Sequence, residues 1–306
     1  MNRLRAALLG AGLGLLATAP VPSPAAAADV VTSVATVPGV HDISPDHHGT
    51  VYVTDPARHR ILAVRDGAAT VFADQIADPA GLAVDGHDNV YVGTGYGRIL
   101  RFTPDGARTI FAVGKGAVLA VAIDPAGNVY WAETNTVRKA TPDGHAARFA
   151  QAPRPAALAA DGAGTVYVAT ATQVLAITAA GTRAPIATGR TQALAVDAGG
   201  TLYASDGCAV RRLPAGPPPA VCAGALAVAD GVLYYADART GQIGRVGPAA
   251  APEPSAAPTP GTTRVAAAPV PPSGDGPGAG VAAALLAGVA LLAAAGGTFA
   301  HHRRTG

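Results

Sequence analysis

The chain has 306 residues, 49% of them hydrophobic and 14% charged, which supplies a core and is too little charge for a disordered polymer. Five of its 22 basic residues and two of its 20 carboxylates lie outside residues 29–247, leaving that body 17 basic and 18 acidic groups and a net charge of −1. With no clustered basic excess, nucleic acid is set aside as a partner.

Residues 1–28 read as a secretory signal peptide. Arg3 and Arg5 precede an uncharged stretch, 6–19, and a run of small residues ends in Ala26, Ala27 and Ala28. The body that follows is therefore expected outside the cytoplasm.

Within residues 29–247 one motif recurs six times: GTVYVTD, DNVYVGT, GNVYWAE, GTVYVAT, GTLYASD and GVLYYAD. Its tyrosines, Tyr52, Tyr91, Tyr130, Tyr167, Tyr203 and Tyr234, are 39, 39, 37, 36 and 31 residues apart. A small apolar run ending in Asp (Asp46, Asp85, Asp124, Asp161, Asp197, Asp230) precedes each block, and a turn with Gly or Asn separates the two. That pattern predicts a tight hairpin. A third apolar segment, a second turn such as Thr103-Pro104-Asp105-Gly106, and a fourth segment follow, so each repeat supplies four strands.

Six such units with almost no helical periodicity predict an all-β fold, a six-bladed β-propeller. A two-sheet sandwich would not need one motif six times. After its Tyr block the last repeat has one further segment, 241–246, while residues 30–37 (VVTSVATV) resemble the outer strands and have no repeat of their own. The N-terminal strand is therefore expected to close the last blade and remove an open sheet edge.

Cys208 and Cys222 are the only cysteines. They flank a turn in the fifth repeat, and in an exported protein that placement predicts a disulfide between the third and fourth strands.

Residues 248–279 hold nine prolines and read as an extended stalk. Residues 280–300 form an uncharged stretch followed at once by His301, His302, Arg303 and Arg304. At about 1.5 Å per residue a helix there would be roughly 31 Å long, enough to cross a bilayer. The basic tail, 301–306, then lies in the cytoplasm, and the expectation is a single-pass membrane protein with its propeller outside.

The order Asp, then Gly or Asn, then x-Val-Tyr-Val resembles NHL repeats over essentially all of residues 30–246. Similar propellers include extracellular sensor domains of bacterial membrane kinases, gluconolactonase-like hydrolases and virginiamycin B lyase-like enzymes. The enzymes among them imply catalytic groups and metals near the axis. Aligned at the turn Asp, the inner strands place Asp42, Gly81, Ala120, Ala157, Ala193 and Ala225 at one level, and His41, Ala80, Leu119, Ala156, Gln192 and Gly224 at the level before it. One carboxylate, one imidazole and one amide fall short of the three or more ligands a divalent cation wants. No metal, cofactor or catalytic residue is therefore expected.

The second-strand ends carry Asp55, Thr94, Glu133, Thr170, Asp206 and Asp237. Together with His41, Asp42 and Gln192, the acids of this ring are the candidate ligand site on one face; the other role open to each acid is capping the turn that follows it. The expected function is binding of a protein, peptide or envelope glycan. The alternative is a metal-dependent lactonase-like hydrolase or lyase using the acidic ring.

Overall fold

The computed structural model describes residues 29–213 and 221–248. The expected signal peptide, nearly all of the stalk, the segment 280–300 and the basic tail lie outside the described residues. Among the described residues no helix is long and apolar enough to cross a membrane.

Six antiparallel sheets succeed one another along the chain and form the blades of a propeller. Their inner strands are Ile43–Pro45, Pro79–Val84, Ala120–Ile123, Ala157–Ala160, Ala193–Val196 and Ala225–Ala229. The second strand of each blade carries the Tyr block and is buried on both sides; in Val51–Asp55, Val90–Thr94 and Val129–Glu133 every residue is buried. A strand between two others, with a blade against each face, has no solvent side, which is why these runs are continuously apolar rather than alternating.

The repeat Asp is a turn builder. Asp46 Oδ1 accepts the N–H groups of His48 and Thr50 at 2.9 and 2.7 Å, and Asp85, Asp124, Asp161 and Asp197 repeat the bond to the residue four further on. Gly49, Gly127, Gly164 and Gly200 close these turns at φ between 76° and 82°, where a Cβ would be strained. In blades 3 and 4 the Tyr hydroxyl donates to the same Asp, Tyr130 to Asp124 Oδ2 and Tyr167 to Asp161 Oδ2, each at 3.1 Å. Burial, followed by the Asp124 charge, pushes the Tyr130 phenol well above its ordinary value. In blades 1 to 3 the Tyr ring also meets a Phe from the outer strand edge-on: Tyr52 on Phe72, Tyr91 on Phe111 and Tyr130 on Phe149, with centroids 4.9 to 5.2 Å apart.

Adjacent blades pack small residues against large ones. Leu158 of blade 4 sits with Ala120 and Ala122 of blade 3, and Leu226 of blade 6 with Ala193 and Ala195 of blade 5. Each such Leu contributes about 1.5–3 kcal/mol of apolar burial. Blades 2 and 3 meet backbone to backbone at Gly81, where a Cβ would lie 2.6 Å from the Ala120 Cα and the Val121 nitrogen. Only glycine fits there.

The ring closes as expected. Strand Asp29–Thr36 pairs antiparallel with Gln242–Pro248, which pairs in turn with Val232–Asp237. The Val37 N–H donates to the Gly241 carbonyl at 2.7 Å and carries the junction into blade 1.

In blade 5 residues 214–220, after the third strand, lie outside the described residues. The blade has three strands among the described residues, and 221–223 form none. The expected disulfide is corrected by the same region. Cys208 and Cys222 are exposed free thiols, and the Cys222 Sγ lies 3.2 Å from the backbone oxygen of Cys208. The Cys222 thiol is turned to a backbone acceptor rather than to the Cys208 sulfur.

Candidate functional site

A cavity of about 710 Å³ runs along the propeller axis. Blade 1 supplies its polar wall through His41, Asp42 and Ser44; across the axis blade 4 supplies Arg154, beside Thr134 from the end of blade 3, and Gln192 enters from blade 5. The rest of the wall is Ala, Leu, Val, Ile, Pro and Gly. Leu82, Leu158, Leu194 and Leu226 border the cavity yet are at most 6% exposed. Their side chains lie between blades, so they present backbone to the axis.

The inner strand of blade 1 is chemically unlike the other five. The side chain of Asp42 takes two backbone donors, Ile43 N–H on Oδ1 and Leu82 N–H on Oδ2, each at 2.9 Å. Ser44 Oγ takes the Val84 N–H at 3.1 Å. Two side chains of blade 1 thereby fasten the exposed edge of blade 2. Asp42 keeps a strip of surface toward the cavity but is enclosed by protein. That burial pushes its carboxyl up to about 6, against the N–H of Leu82, the charge of His41 and the N–H of Ile43, which all pull it down.

Arg154 adopts a left-handed backbone, φ 48°, just before Pro155, and its N–H is held by the Thr134 carbonyl at 3.0 Å. Asp78, at φ 51° before Pro79, occupies the corresponding place in blade 2. Such conformations cost of order 1 kcal/mol and persist where the surroundings impose them.

Of the predicted site residues, His41, Asp42 and Gln192 line the cavity, whereas Asp55, Glu133, Asp206 and Asp237 do not. The four acids of the ring are engaged locally. Asp55 is fully buried with Oδ2 on Arg60 Nε at 2.9 Å and Arg58 Nη1 at 3.2 Å. Glu133 accepts the Lys115 N–H at 2.9 Å and the Trp131 indole N–H at 3.1 Å. Asp206 accepts the N–H groups of Cys208 and Ala209, which hold its carboxyl below the usual range. Asp237 accepts the Arg239 N–H. Asp206 and Asp237 cap the turns that follow them, Asp55 is held by guanidiniums and Glu133 by the Lys115 and Trp131 N–H groups, and the acids do not converge on a common point. Ser44, Thr134 and Arg154 are the functional positions that sequence reasoning missed.

The lactonase-like reading calls for a divalent cation, and the residues present do not fit one. Among the described residues no three of His, Cys, Asp and Glu come together as a metal site would require, and both oxygens of the one axial carboxylate already hold backbone N–H groups.

No protein-family model and no curated sequence matches the chain, so its likeness to NHL repeats rests on the blade motif alone. Solved structures do match. A gluconolactonase from Xanthomonas campestris superposes with a TM-score of 0.60 at 20% identity, covering 72% of this chain and 89% of that one. A streptogramin B lyase gives 0.56 at 15% over 71% and 83%. A catalytically inactive virginiamycin B lyase from Staphylococcus aureus with quinupristin gives 0.55 at 15% over 74% and 82%. At these identities the likeness establishes the six-bladed propeller and not an activity.

Proposed function

We propose that the protein is an extracytoplasmic binding module, exported by residues 1–28, held at the membrane by residues 280–300 and presented on the stalk between, whose propeller captures a protein, peptide or cell-envelope ligand. The observation that carries this reading is the axial cavity, large enough for a small ligand, furnished with dispersed polar groups and mostly neutral walls. The test is retention of envelope components on the immobilised full chain in detergent. Components should be retained by the native protein and lost from a His41→Ala, Arg154→Asn double variant. Retention that is absent, or that ignores both substitutions, would overturn the assignment.

A second reading, hydrolysis or lyase chemistry, is favoured by Asp42, whose carboxyl sits near 6 beside His41 within the cavity. Because the donor set does not suit a metal, this reading is confined to acid–base chemistry. It predicts turnover of a gluconolactone or of a streptogramin B by the full chain, lost in Asp42→Asn; the binding reading predicts none.

A further inference from the structure

At the end of its second strand blade 1 carries Asp55, whose carboxylate holds the guanidinium of Arg60, its partner across the strand pair, at 2.9 Å. Blade 2 repeats the arginine as Arg98 and puts Thr94 in place of the carboxylate. The Thr94 hydroxyl serves the backbone of Arg98, taking its N–H at 3.1 Å and donating to its carbonyl at 3.2 Å. Arg98 thus keeps the cation of blade 1 without the counter-ion. Among the described residues the arginines in ion pairs are Arg58, Arg60, Arg138, Arg212 and Arg239. Arg98 and Arg108 are not among them.

These two arginines line one groove of about 470 Å³, formed by blade 2 and by the segment 75–77 that enters it from blade 1. The groove shares no residue with the axial cavity. In the outer strand pair of blade 2, Arg98 faces Val113, Leu100 faces Ile110 and Phe102 faces Arg108. Arg98 and Arg108 therefore stand four residues apart along the strands, roughly 13 Å at about 3.3 Å per residue. Between them Leu100 and Ile110, with Ile76 from the entering segment, supply apolar surface. Ile110 is 55% exposed, and Tyr96, next to Arg98 in the chain, is 77% exposed.

No carboxylate lines the groove. Asp78 and Asp105 are close in sequence but turned elsewhere, Asp78 against Gly95 and Asp105 to the Thr103 hydroxyl. The other blades with four described strands do not repeat the arrangement. At the places of Arg98 and Arg108 they carry Arg60 and Ala69, Thr136 and Ala146, Gln173 and Arg183, and Gln242 and Val31.

In an extended chain the side chains at i, i+2 and i+4 lie on one face. Acids at i and i+4 are then spaced as the two arginines are, and an aliphatic residue at i+2 falls over Leu100 and Ile110. Guanidinium and carboxylate meet through paired, directional hydrogen bonds, and exposed Tyr and Arg are the residues that carry most binding energy at protein interfaces.

We propose that this groove docks an extended acidic segment of a partner protein, with Asp or Glu at i and i+4 on Arg98 and Arg108 and an aliphatic residue at i+2 on Leu100 and Ile110.

The test titrates the full chain in detergent micelles with an N-acetylated, C-amidated peptide, Ser-Glu-Thr-Leu-Thr-Glu-Ser, and with an isomer whose two glutamates are adjacent, read by calorimetry. Saturable binding of the first peptide is expected, at least tenfold tighter than that of the isomer. Arg98→Gln and Arg108→Gln should each weaken it tenfold or more, and Tyr96→Ala should weaken it as well. All three side chains are exposed, so the variants should fold, and an unchanged melting temperature checks this. No saturable binding, equal binding of the isomer, or binding that ignores both arginine variants overturns the proposal. So does oligogalacturonate or a fatty acid that binds through the two arginines while the peptide does not, which would give the groove to another anion. Because the two sites share no residue, retention through His41 and Arg154 is judged separately from either result.

Discussion

The carboxylate of Asp42 accepts the backbone N–H of Leu82 at 2.9 Å across the boundary between blades 1 and 2. A side chain here takes the place of a strand partner, joining two sheets that otherwise meet through packing alone. The burial of that carboxyl also makes this boundary sensitive to pH.

Burial raises the Asp42 carboxyl from 3.8 to about 6, so the folded protein holds this proton more tightly than the unfolded chain. Its contribution to stability is complete below about pH 4 and is lost as pH rises through 6, by at most about 3 kcal/mol. Urea unfolding of wild type and Asp42→Asn at pH 4, 5, 6 and 7 should show the difference between them moving in favour of the variant as pH rises. A difference constant over that range would contradict the assignment.

Gly81→Ala places a Cβ 2.6 Å from the backbone of Ala120 and Val121. Because backbone cannot swing aside, we expect a loss of about 1–3 kcal/mol, or roughly 3–10 °C in melting temperature at this size. Gly86→Ala is the control. It has nothing within 4 Å and an unstrained backbone, and should melt within about 2 °C of wild type.

Tyr130→Phe removes the hydroxyl bonded to Asp124 and keeps the ring on Phe149. The expected cost is about 1 kcal/mol. Tyr130→Ala loses the ring as well and should cost about 3–5 kcal/mol. Equal losses in thermal unfolding would show that the aromatic contact contributes nothing.

Deleting residues 29–36 takes away the strand paired with Gln242–Pro248 and exposes a sheet edge in blade 6. Melting should fall by about 10 °C or more, and concentration-dependent association should be seen by light scattering. A monomer with unchanged melting would refute the role of this strand as the clasp.

The fold was legible because its signals are local: Asp, Gly and Tyr stand at fixed offsets, and each does one thing in the turn or the blade. The clasp was legible because one strand was missing at one end and one was spare at the other. The acidic ring misled because Asp55, Glu133, Asp206 and Asp237 share a place in the repeat but not a direction; each bends to the N–H or guanidinium nearest to it. Ser44 could have been found by comparing Asp42-Ile43-Ser44 with the Gly-Leu-Ala, Ala-Val-Ala or Ala-Leu-Ala of other blades. The recurrence of Phe72, Phe111 and Phe149 in the outer strands was equally visible. Arg154 carried a weaker signal, its place before Pro155 matching Asp78 before Pro79, and its position opposite Asp42 exists only once the ring is counted round.

Because strand 29–36 pairs with residues 242–248, the earliest part of the propeller to be synthesised waits for the latest. Five blades can assemble from neighbouring sequence as the polypeptide emerges, but the circle shuts only when a stretch more than 200 residues downstream arrives. Contacts of such long sequence separation form slowly and leave an unsatisfied border exposed in the interval. The step at which assembly of this protein is most vulnerable to aggregation is therefore its last one.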